Sequence, residues 1–300
     1  MKKKLLTTLI VGTIFYFLGR YLYLNWQKLT QYEWQFNVGF LLISFIILLI
    51  RLSITVGIWK KLLNKLGSKL SYKKCFKVWF MSLLGKYLPG RVWASLGRIY
   101  LAQAEGVPKR TSFTSLVYEY SLSSMSAFIF GVVLLLIYMG KGQISAFMPF
   151  LYFMPFVFFI LHPKIFSGIA NFILNKLKKE PINLDFTYLE IFGFMGLYLV
   201  NWLVMALAFY YFVNSIYPVE LSVYPVLAGM LALSMLAGFL CFFVPAGLGV
   251  REGVLTGLLS IYLPLEIAIV IAIGSRIWIT LGELTGVGLA EISNLIKRRI

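Results

Sequence analysis

The sequence predicts an all-α polytopic membrane protein with six full spans and two broken or re-entrant hairpins, about eight hydrophobic segments in all. Hydrophobic residues make up 60% of the 300-residue chain and charged residues only 13%, which is far more apolar than a soluble domain. Apolar runs of about 20 residues, the length that crosses a bilayer core, recur between short polar loops. We therefore predict a single transmembrane domain over residues 1–300, with no attached soluble domain.

The first two spans are predicted at residues 5–24 and 36–59. The loop between them carries a single lysine, whereas the loop that follows holds seven lysines between Lys60 and Lys77. Cytoplasmic loops of membrane proteins carry an excess of Lys and Arg. The N-terminus and the lysine-rich loop are therefore predicted to be cytoplasmic, in a protein of the cell membrane.

The next apolar run, at residues 78–100, is interrupted by the segment Gly-Lys-Tyr-Leu-Pro-Gly-Arg-Val-Trp at 85–93. Pro89 lacks a backbone N–H and clashes with the preceding helical turn, while Gly90 permits a sharp reversal. We predict a first re-entrant hairpin here, which breaks at Pro89 and Gly90 and returns to the cytoplasm.

Three more full spans are predicted at residues 111–139, 144–161 and 188–213. The loop after the second of these contains four lysines and is expected to be cytoplasmic, whereas residues 214–221 contain no Lys or Arg and are expected outside.

The apolar run at residues 222–263 is broken at Pro245, Gly247 and Gly249, which predicts a second hairpin opening to the exterior. A last span at residues 264–292 would then return the basic C-terminus to the cytoplasm. Because the two interruptions open toward opposite faces, the arrangement also suits an inverted repeat. Irregular backbone at membrane depth persists only beside protein or a water-filled space, so both interruptions predict an interior cavity.

Charged side chains within the apolar runs are the candidate functional residues, because an Arg or Asp at the centre of a membrane helix costs about 2.5–3.5 kcal/mol. Arginine binds phosphate through two parallel hydrogen bonds, so a phosphate-bearing substrate is expected. A structural ion pair is the alternative, particularly for Arg276 and Glu283, which lie two turns apart on one helix face. Arg51 is interpreted as a structural residue that reaches toward the cytoplasmic surface. The predicted substrate-binding residues are Arg91, Arg98, Glu119, Arg251, Glu252, Arg276 and Glu283.

The sequence lacks the signature motifs of several function classes. The net charge of +17 is concentrated in loops beside the spans, which indicates membrane orientation and contact with anionic lipid rather than nucleic acid binding. Cys75, Cys241 and His162 have no metal-ligand spacing, and the motifs for nucleotide, metal-diphosphate and zinc chemistry are missing. No metal and no cofactor are expected.

The segments 85–93 and 245–253, together with Arg98, Glu119 and Arg276, resemble in order and spacing the membrane domain of lysylphosphatidylglycerol synthetase and its stand-alone flippase-like relatives. The resemblance covers about residues 4–296. It implies a lipid flippase or transporter that moves a phosphate-bearing lipid between leaflets, either an aminoacylated phospholipid or a polyprenyl-phosphate-linked lipid.

The chain departs from the family pattern at Trp93 and Ala94, where many relatives have Gly-Glu, so no carboxylate role is expected there. It ends at Ile300 without an aminoacyl-transfer domain, and no enzyme activity is expected. The expected partners are membrane lipids, a separate synthetase or glycosyltransferase and a second copy of the chain. Two alternatives remain open: a small-solute secondary transporter in which Glu119 or Glu252 couples to protons, and a non-catalytic membrane subunit of a lipid or glycan assembly system.

Overall fold

The computed structural model of the protein describes residues 36–87, 92–138, 168, 171–172, 175, 186–241, 244 and 247–299, with side chains as far as residue 292. Within these ranges the chain forms α-helices and short 3₁₀ helices, and no β-strand occurs. The α-helices are α1 Val38–Lys65, α2 Tyr72–Leu83, α3 Trp93–Ala104, α4 Lys109–Tyr138, α5 Tyr188–Asn214, α6 Tyr224–Leu240, α7 Val250–Leu259 and α8 Leu265–Arg299. The 3₁₀ helices are Leu84–Tyr87 and Leu221–Val223.

Five segments of the described part are long and apolar enough to cross a membrane, namely α1, α4, α5, the stretch Leu221–Leu240 that contains α6, and α8 as far as Ile292. The all-α polytopic class predicted from the sequence is confirmed. Helices α1, α4, α5 and α8 coincide with four of the predicted full spans. The other two predicted spans, at residues 5–24 and 144–161, lie outside the described residues.

Both predicted interruptions are present. The run at residues 78–100 consists of α2, the 3₁₀ helix Leu84–Tyr87 and α3, and neither α-helix exceeds 12 residues, which is too short to cross a bilayer. The second interrupted run, at residues 222–263, divides into two helical parts of unequal length. The stretch Leu221–Leu240 has 20 residues and is long enough to cross, whereas α7 has only 10.

Helices α1 and α5 pack together in antiparallel directions. At one end the Asn37 N–H donates to the Ser215 carbonyl at 3.0 Å, and at the other the Lys65 ammonium lies 2.5 Å from the Glu190 carboxylate. Glu190 also closes a capping box at the start of α5, where an acidic side chain interacts favourably with the helix dipole. The opposite directions predicted for these two spans are thereby confirmed.

Helix α8 connects the two interrupted segments, because it contacts both α2 and α7, and it also packs against α1. Helix α8 packs closely against its neighbours at two glycines. A Cβ added to Gly282 would lie 2.6 Å from the Leu48 side chain. A Cβ added to Gly286 would overlap the ring of Phe80, which is 1% exposed. The charged residues of α8 are consequently held against both interruptions.

This packing predicts that Gly286→Ala destabilises the protein. The added methyl group would overlap the ring of Phe80, which is 1% exposed, and overpacking of this kind costs about 1–3 kcal/mol. The matched control is Gly288→Ala on the same helix, where a Cβ meets nothing within 4 Å and helix propensity improves. Thermal unfolding of the detergent-solubilised protein measures both variants. Equal midpoints for the two would show that α8 is not packed this tightly.

Candidate functional site

Charged side chains of the apolar runs and interruptions form what we call the charge network. In the part of the chain that the structure describes, it consists of five cationic and three acidic residues: Arg51, Lys86, Arg98, Arg251, Arg276, Glu119, Glu252 and Glu283. Three ion pairs within these described residues engage all of the acidic members. The two interruptions and α8 determine where the side chains of the charge network lie.

The first ion pair joins the return arm of the first interruption to a full span. The Arg98 guanidinium of α3 lies 2.7 Å from the Glu119 carboxylate of α4, and the two residues are 3% and 5% exposed. The second Glu119 oxygen accepts a hydrogen bond from the Trp79 indole at 3.3 Å, and Arg98 Nε donates to the Ser82 hydroxyl at 3.2 Å. The guanidinium also lies 5.5 Å and 5.2 Å from the ring centroids of Trp59 and Trp79. Arg98 is therefore neutralised and enclosed.

The first interruption is a tight reversal. A Cβ at Gly85 would lie 2.6 Å from the backbone carbonyl carbon of Trp93, so the 3₁₀ helix packs directly on the start of α3. Helices α2 and α3 lie side by side, as expected for the two arms of a hairpin.

The second ion pair holds the second interruption. Glu252, which is 1% exposed, accepts from Arg276 at 2.6 Å and from the Gly249 backbone N–H at 2.7 Å, and so caps the first turn of α7. Gly247 and Gly249 have φ values of +63° and +80°, which side chains other than glycine rarely adopt. A Cβ at Gly247 would also lie 2.7 Å from the Gly238 carbonyl, because the chain returns onto the end of α6. This backbone requires glycine.

Arg251 is buried beside that pair without a carboxylate of its own. It is 8% exposed, and its Nη2 donates a hydrogen bond to the Ser275 hydroxyl at 2.9 Å. Its Nε is buried and has no hydrogen-bond partner among the described residues. Arg251 thus has unused hydrogen-bonding capacity next to the second interruption.

The third ion pair connects the two interruptions. Glu283 of α8 pairs with Lys86, which lies in the 3₁₀ helix of the first interruption. Both Arg276 and Glu283 therefore take part in ion pairs, as the structural alternative predicted, and each pairs with a different short helical segment. Sequence reasoning missed Lys86, although its place between Gly85 and Pro89 in the interrupting motif was a usable signal.

Arg51 lies near the middle of the 28-residue α1 and is partly exposed. Its Nε is buried without a hydrogen-bond partner in the described part of the chain. Among the described residues, no carboxylate lies at ion-pair distance from its guanidinium. The interpretation of Arg51 as a structural residue that reaches toward the cytoplasmic surface stays a prediction.

The other predicted site residues have defined places. Arg98 and Glu119 lie together, as do Arg251, Glu252 and Arg276, and Glu283 connects the two groups. Their roles in binding a substrate stay predictions. Four predicted positions fall outside the described residues, namely Pro89, Gly90, Arg91 and Pro245.

One groove of about 450 Å³ lies along α1, beside the start of α2. Its lining is mainly apolar and consists of Ile46, Leu49, Ile50, Ser53, Ile54 and Tyr72. The interior cavity expected at the interruptions stays a prediction. Across the described ranges, no three His, Cys, Asp or Glu side chains gather in a way that could hold a metal ion.

Comparison with known proteins gives one match. A family model described as the lysylphosphatidylglycerol synthase TM region matches residues 5–282. No curated protein and no solved structure matches the chain.

The enclosed first ion pair predicts a strong dependence of stability on both partners. Arg98→Met or Glu119→Leu alone leaves an uncompensated buried charge and should cost about 3–5 kcal/mol. The double variant should lose much less than the sum of the two single variants. Thermal unfolding in detergent measures the three proteins.

The control is the exposed pair of Lys65 and Glu190, whose side chains are 38% and 33% exposed. Lys65→Met should change stability by about 0–1 kcal/mol. Additive losses in the Arg98 and Glu119 variants would contradict a coupled buried pair.

Proposed function

The chain belongs to the lysylphosphatidylglycerol synthase transmembrane-region family, and on that premise we propose that it is a lipid flippase moving a phosphate-bearing lipid between the two leaflets. A membrane protein with a lipid-related function follows from the family. We propose in addition that the lipid moves between leaflets, which lipid it is, and which residues bind it.

The observation that supports the proposal is that some cationic residues of the charge network have an acidic partner and others have none. Among the described residues, its three ion pairs neutralise Lys86, Arg98 and Arg276, while Arg51 and Arg251 have no carboxylate at ion-pair distance. A buried charge without a partner is costly in an apolar environment. An anion supplied from outside the protein would remove that cost, and a lipid phosphate is such an anion at membrane depth.

Arg251 is the proposed primary ligand of the phosphate. Its guanidinium carries a planar set of donors that matches two phosphate oxygens, and its Nε is unused within the described chain. The Arg276 and Glu252 pair has a different role. It fixes α7 against α8 and so positions Arg251 between Gly238 of α6 and Ser275 of α8.

Movement of the lipid is proposed to follow movement of the interrupted segments. Short helices that do not span the bilayer can shift as units around a site near the midplane, as in transporters with broken helices. The pair of Lys86 and Glu283 couples the first interruption to α8, which also contacts the second. The headgroup would pass through the interior while the acyl or isoprenoid tails stay in lipid.

The proposed substrates are an aminoacylated phospholipid or a polyprenyl-phosphate-linked lipid. A separate synthetase or glycosyltransferase would supply the lipid, and the chain itself is proposed to have no enzyme activity. The proposed location is the cell membrane with both termini in the cytoplasm. The seven lysines between Lys60 and Lys77, which lie at the end of α1, in the following loop and in α2, follow the positive-inside rule.

Proton-coupled solute transport has less support. Both oxygens of Glu119 accept hydrogen bonds, from Trp79 and Arg98, and both oxygens of Glu252 accept from Arg276 and Gly249. Neither carboxylate has an unengaged oxygen that faces a transport path.

The test of the proposal is transfer of fluorescent phosphatidylglycerol between leaflets of proteoliposomes that contain the purified protein. Arg251→Gln should slow transfer at least about tenfold, because a hydrogen bond from a charged donor contributes about 1.5–3 kcal/mol. Arg251→Lys should fall between this variant and the wild type, since it retains the charge but loses the planar fork.

Lys61→Gln is the matched control, since it removes one positive charge from an exposed position at the end of α1. Thermal unfolding confirms that each variant is folded. Transfer by Arg251→Gln at the wild-type rate would reject the role of Arg251, and absence of transfer by the wild type would reject the flippase.

A further inference from the structure

Every buried carboxylate in the described part of the chain is already engaged. These carboxylates belong to Glu119, Glu252 and Glu283, and each forms an ion pair with a cation of the protein itself. Glu119 and Glu252 also use both of their oxygens as acceptors of hydrogen bonds from protein donors. A positively charged group that entered this interior from outside would have to displace one of the protein's own cations.

The predicted spans that lie outside the described residues add no further carboxylate. The spans predicted at residues 5–24 and 144–161, and residues 88–91 of the first interruption, contain neither Asp nor Glu. They contain the cations Arg20 and Arg91 instead. Apart from the three buried carboxylates, the acidic residues of the chain lie in predicted loops or near the ends of predicted spans. The excess of cations over carboxylates in the charge network is therefore not offset elsewhere in the predicted spans.

Part of this excess lies at Arg251, in the second interruption. There the charges of Arg276 and Glu252 cancel each other, which leaves Arg251 as an uncompensated positive charge. Its hydrogen-bond partner, the Ser275 hydroxyl, is neutral and 0% exposed, and it donates its own proton to the Ala272 carbonyl at 2.8 Å. The site proposed for the lipid phosphate is thus buried and positively charged, and it has no fixed anion of its own.

The charge of the headgroup decides how well a lipid suits such a site. A phosphate neutralises the Arg251 guanidinium and accepts its hydrogen bonds. An ammonium group in the same headgroup would bring another positive charge into the apolar interior, where like charges repel strongly and the described carboxylates are already paired. The lysyl ester of phosphatidylglycerol carries more ammonium charge than phosphate charge, so it would increase the positive charge of the interior.

We infer that the Arg251 site selects lipid phosphates whose headgroup is net anionic and contains no ammonium group, and that it discriminates against aminoacylated phospholipids. The inference rests on the proposed function and narrows its substrate class to unmodified anionic phospholipids and polyprenyl phosphates. Both kinds of lipid offer phosphate oxygens to Arg251 with no cation beside them. The discrimination follows from the missing carboxylate and not from the size of the headgroup.

Binding to the full chain in detergent is measured as the rise in unfolding midpoint with lipid concentration. The two probes are dihexanoylphosphatidylglycerol and its lysyl ester, which share the phosphodiester and the acyl chains. The unmodified lipid should bind at least about tenfold more tightly, because a buried ammonium without a carboxylate partner is costly. Equal or tighter binding of the lysyl ester would overturn the inference.

The substitution Ser275→Asp tests the cause of the discrimination, because it places a carboxylate where Arg251 Nη2 now meets a hydroxyl. This carboxylate should neutralise Arg251 and compete with the phosphate. The matched control is Ser275→Asn, which has the same shape and an acceptor oxygen but no charge. Dihexanoylphosphatidylglycerol should bind Ser275→Asp at least about tenfold more weakly than Ser275→Asn.

Equal affinity of the Asp and Asn variants for this lipid would overturn the inference. Thermal unfolding without lipid shows whether each variant is folded. If Ser275→Asp does not fold, the comparison of the two lipids on the wild type still decides.

Two further probes identify the source of the phosphate group. Farnesyl phosphate represents a polyprenyl monoester, and it should also bind at least about tenfold more tightly than the lysyl ester. Inorganic phosphate represents a free anion. Stabilisation by inorganic phosphate as strong as that by either anionic lipid would overturn the assignment to a lipid headgroup.

Transfer of fluorescent phosphatidylglycerol and of its lysyl ester in proteoliposomes separates this inference from the proposed function. If the wild type transfers both lipids equally fast, the discrimination is rejected and the flippase stands. If the wild type transfers neither lipid but binds phosphatidylglycerol more tightly than the lysyl ester, and Ser275→Asp removes this preference, the flippase is rejected and the selective site stands.

Discussion

Neutralisation of charge inside the membrane is the constraint on which the described structure depends. Hydrocarbon cannot solvate a guanidinium or a carboxylate, so a buried charge is costly unless a group of opposite charge lies beside it. Each of the three ion pairs of the charge network joins a short segment of an interruption to a long helix: α3 to α4, the 3₁₀ helix Leu84–Tyr87 to α8, and α7 to α8. Segments too short to cross the bilayer are thus attached to the spans by their own charges.

The two interruptions differ in how completely their ion pairs are enclosed. In the first, Arg98 is enclosed by Trp59, Trp79 and Glu119, and these contacts leave the ion pair almost without exposed surface. In the second, two glycines with positive φ precede α7, and the Arg276 side chain is 23% exposed. The ion pair of the first interruption is therefore more completely enclosed than that of the second.

The sequence predicted the spans and the interruptions because both follow from local features, namely apolar length, proline, glycine and the distribution of lysine. It could not predict the partners of the buried charges. Lys86 and Glu283 are 197 residues apart, and only the packing of α8 brings them together. The position of Arg51 near the middle of α1 could be read from its apolar run. The packing of α5 and α8 against α1 could not, because these helices come from distant parts of the chain. The spacing of Arg276 and Glu283 placed them on one helix face. It could not show that each pairs with a different short segment, Arg276 with α7 and Glu283 with the 3₁₀ helix Leu84–Tyr87.

Glu252 serves two structural purposes with one carboxylate. One oxygen neutralises Arg276, and the other holds the Gly249 N–H at the start of α7. An anion that displaced Glu252 from Arg276 would leave the carboxylate without its cation and weaken the cap on that first turn. Binding of an anion at Arg276 and fraying of α7 are therefore thermodynamically linked. By the same linkage, any contact that stabilises the first turn of α7 weakens anion binding at Arg276.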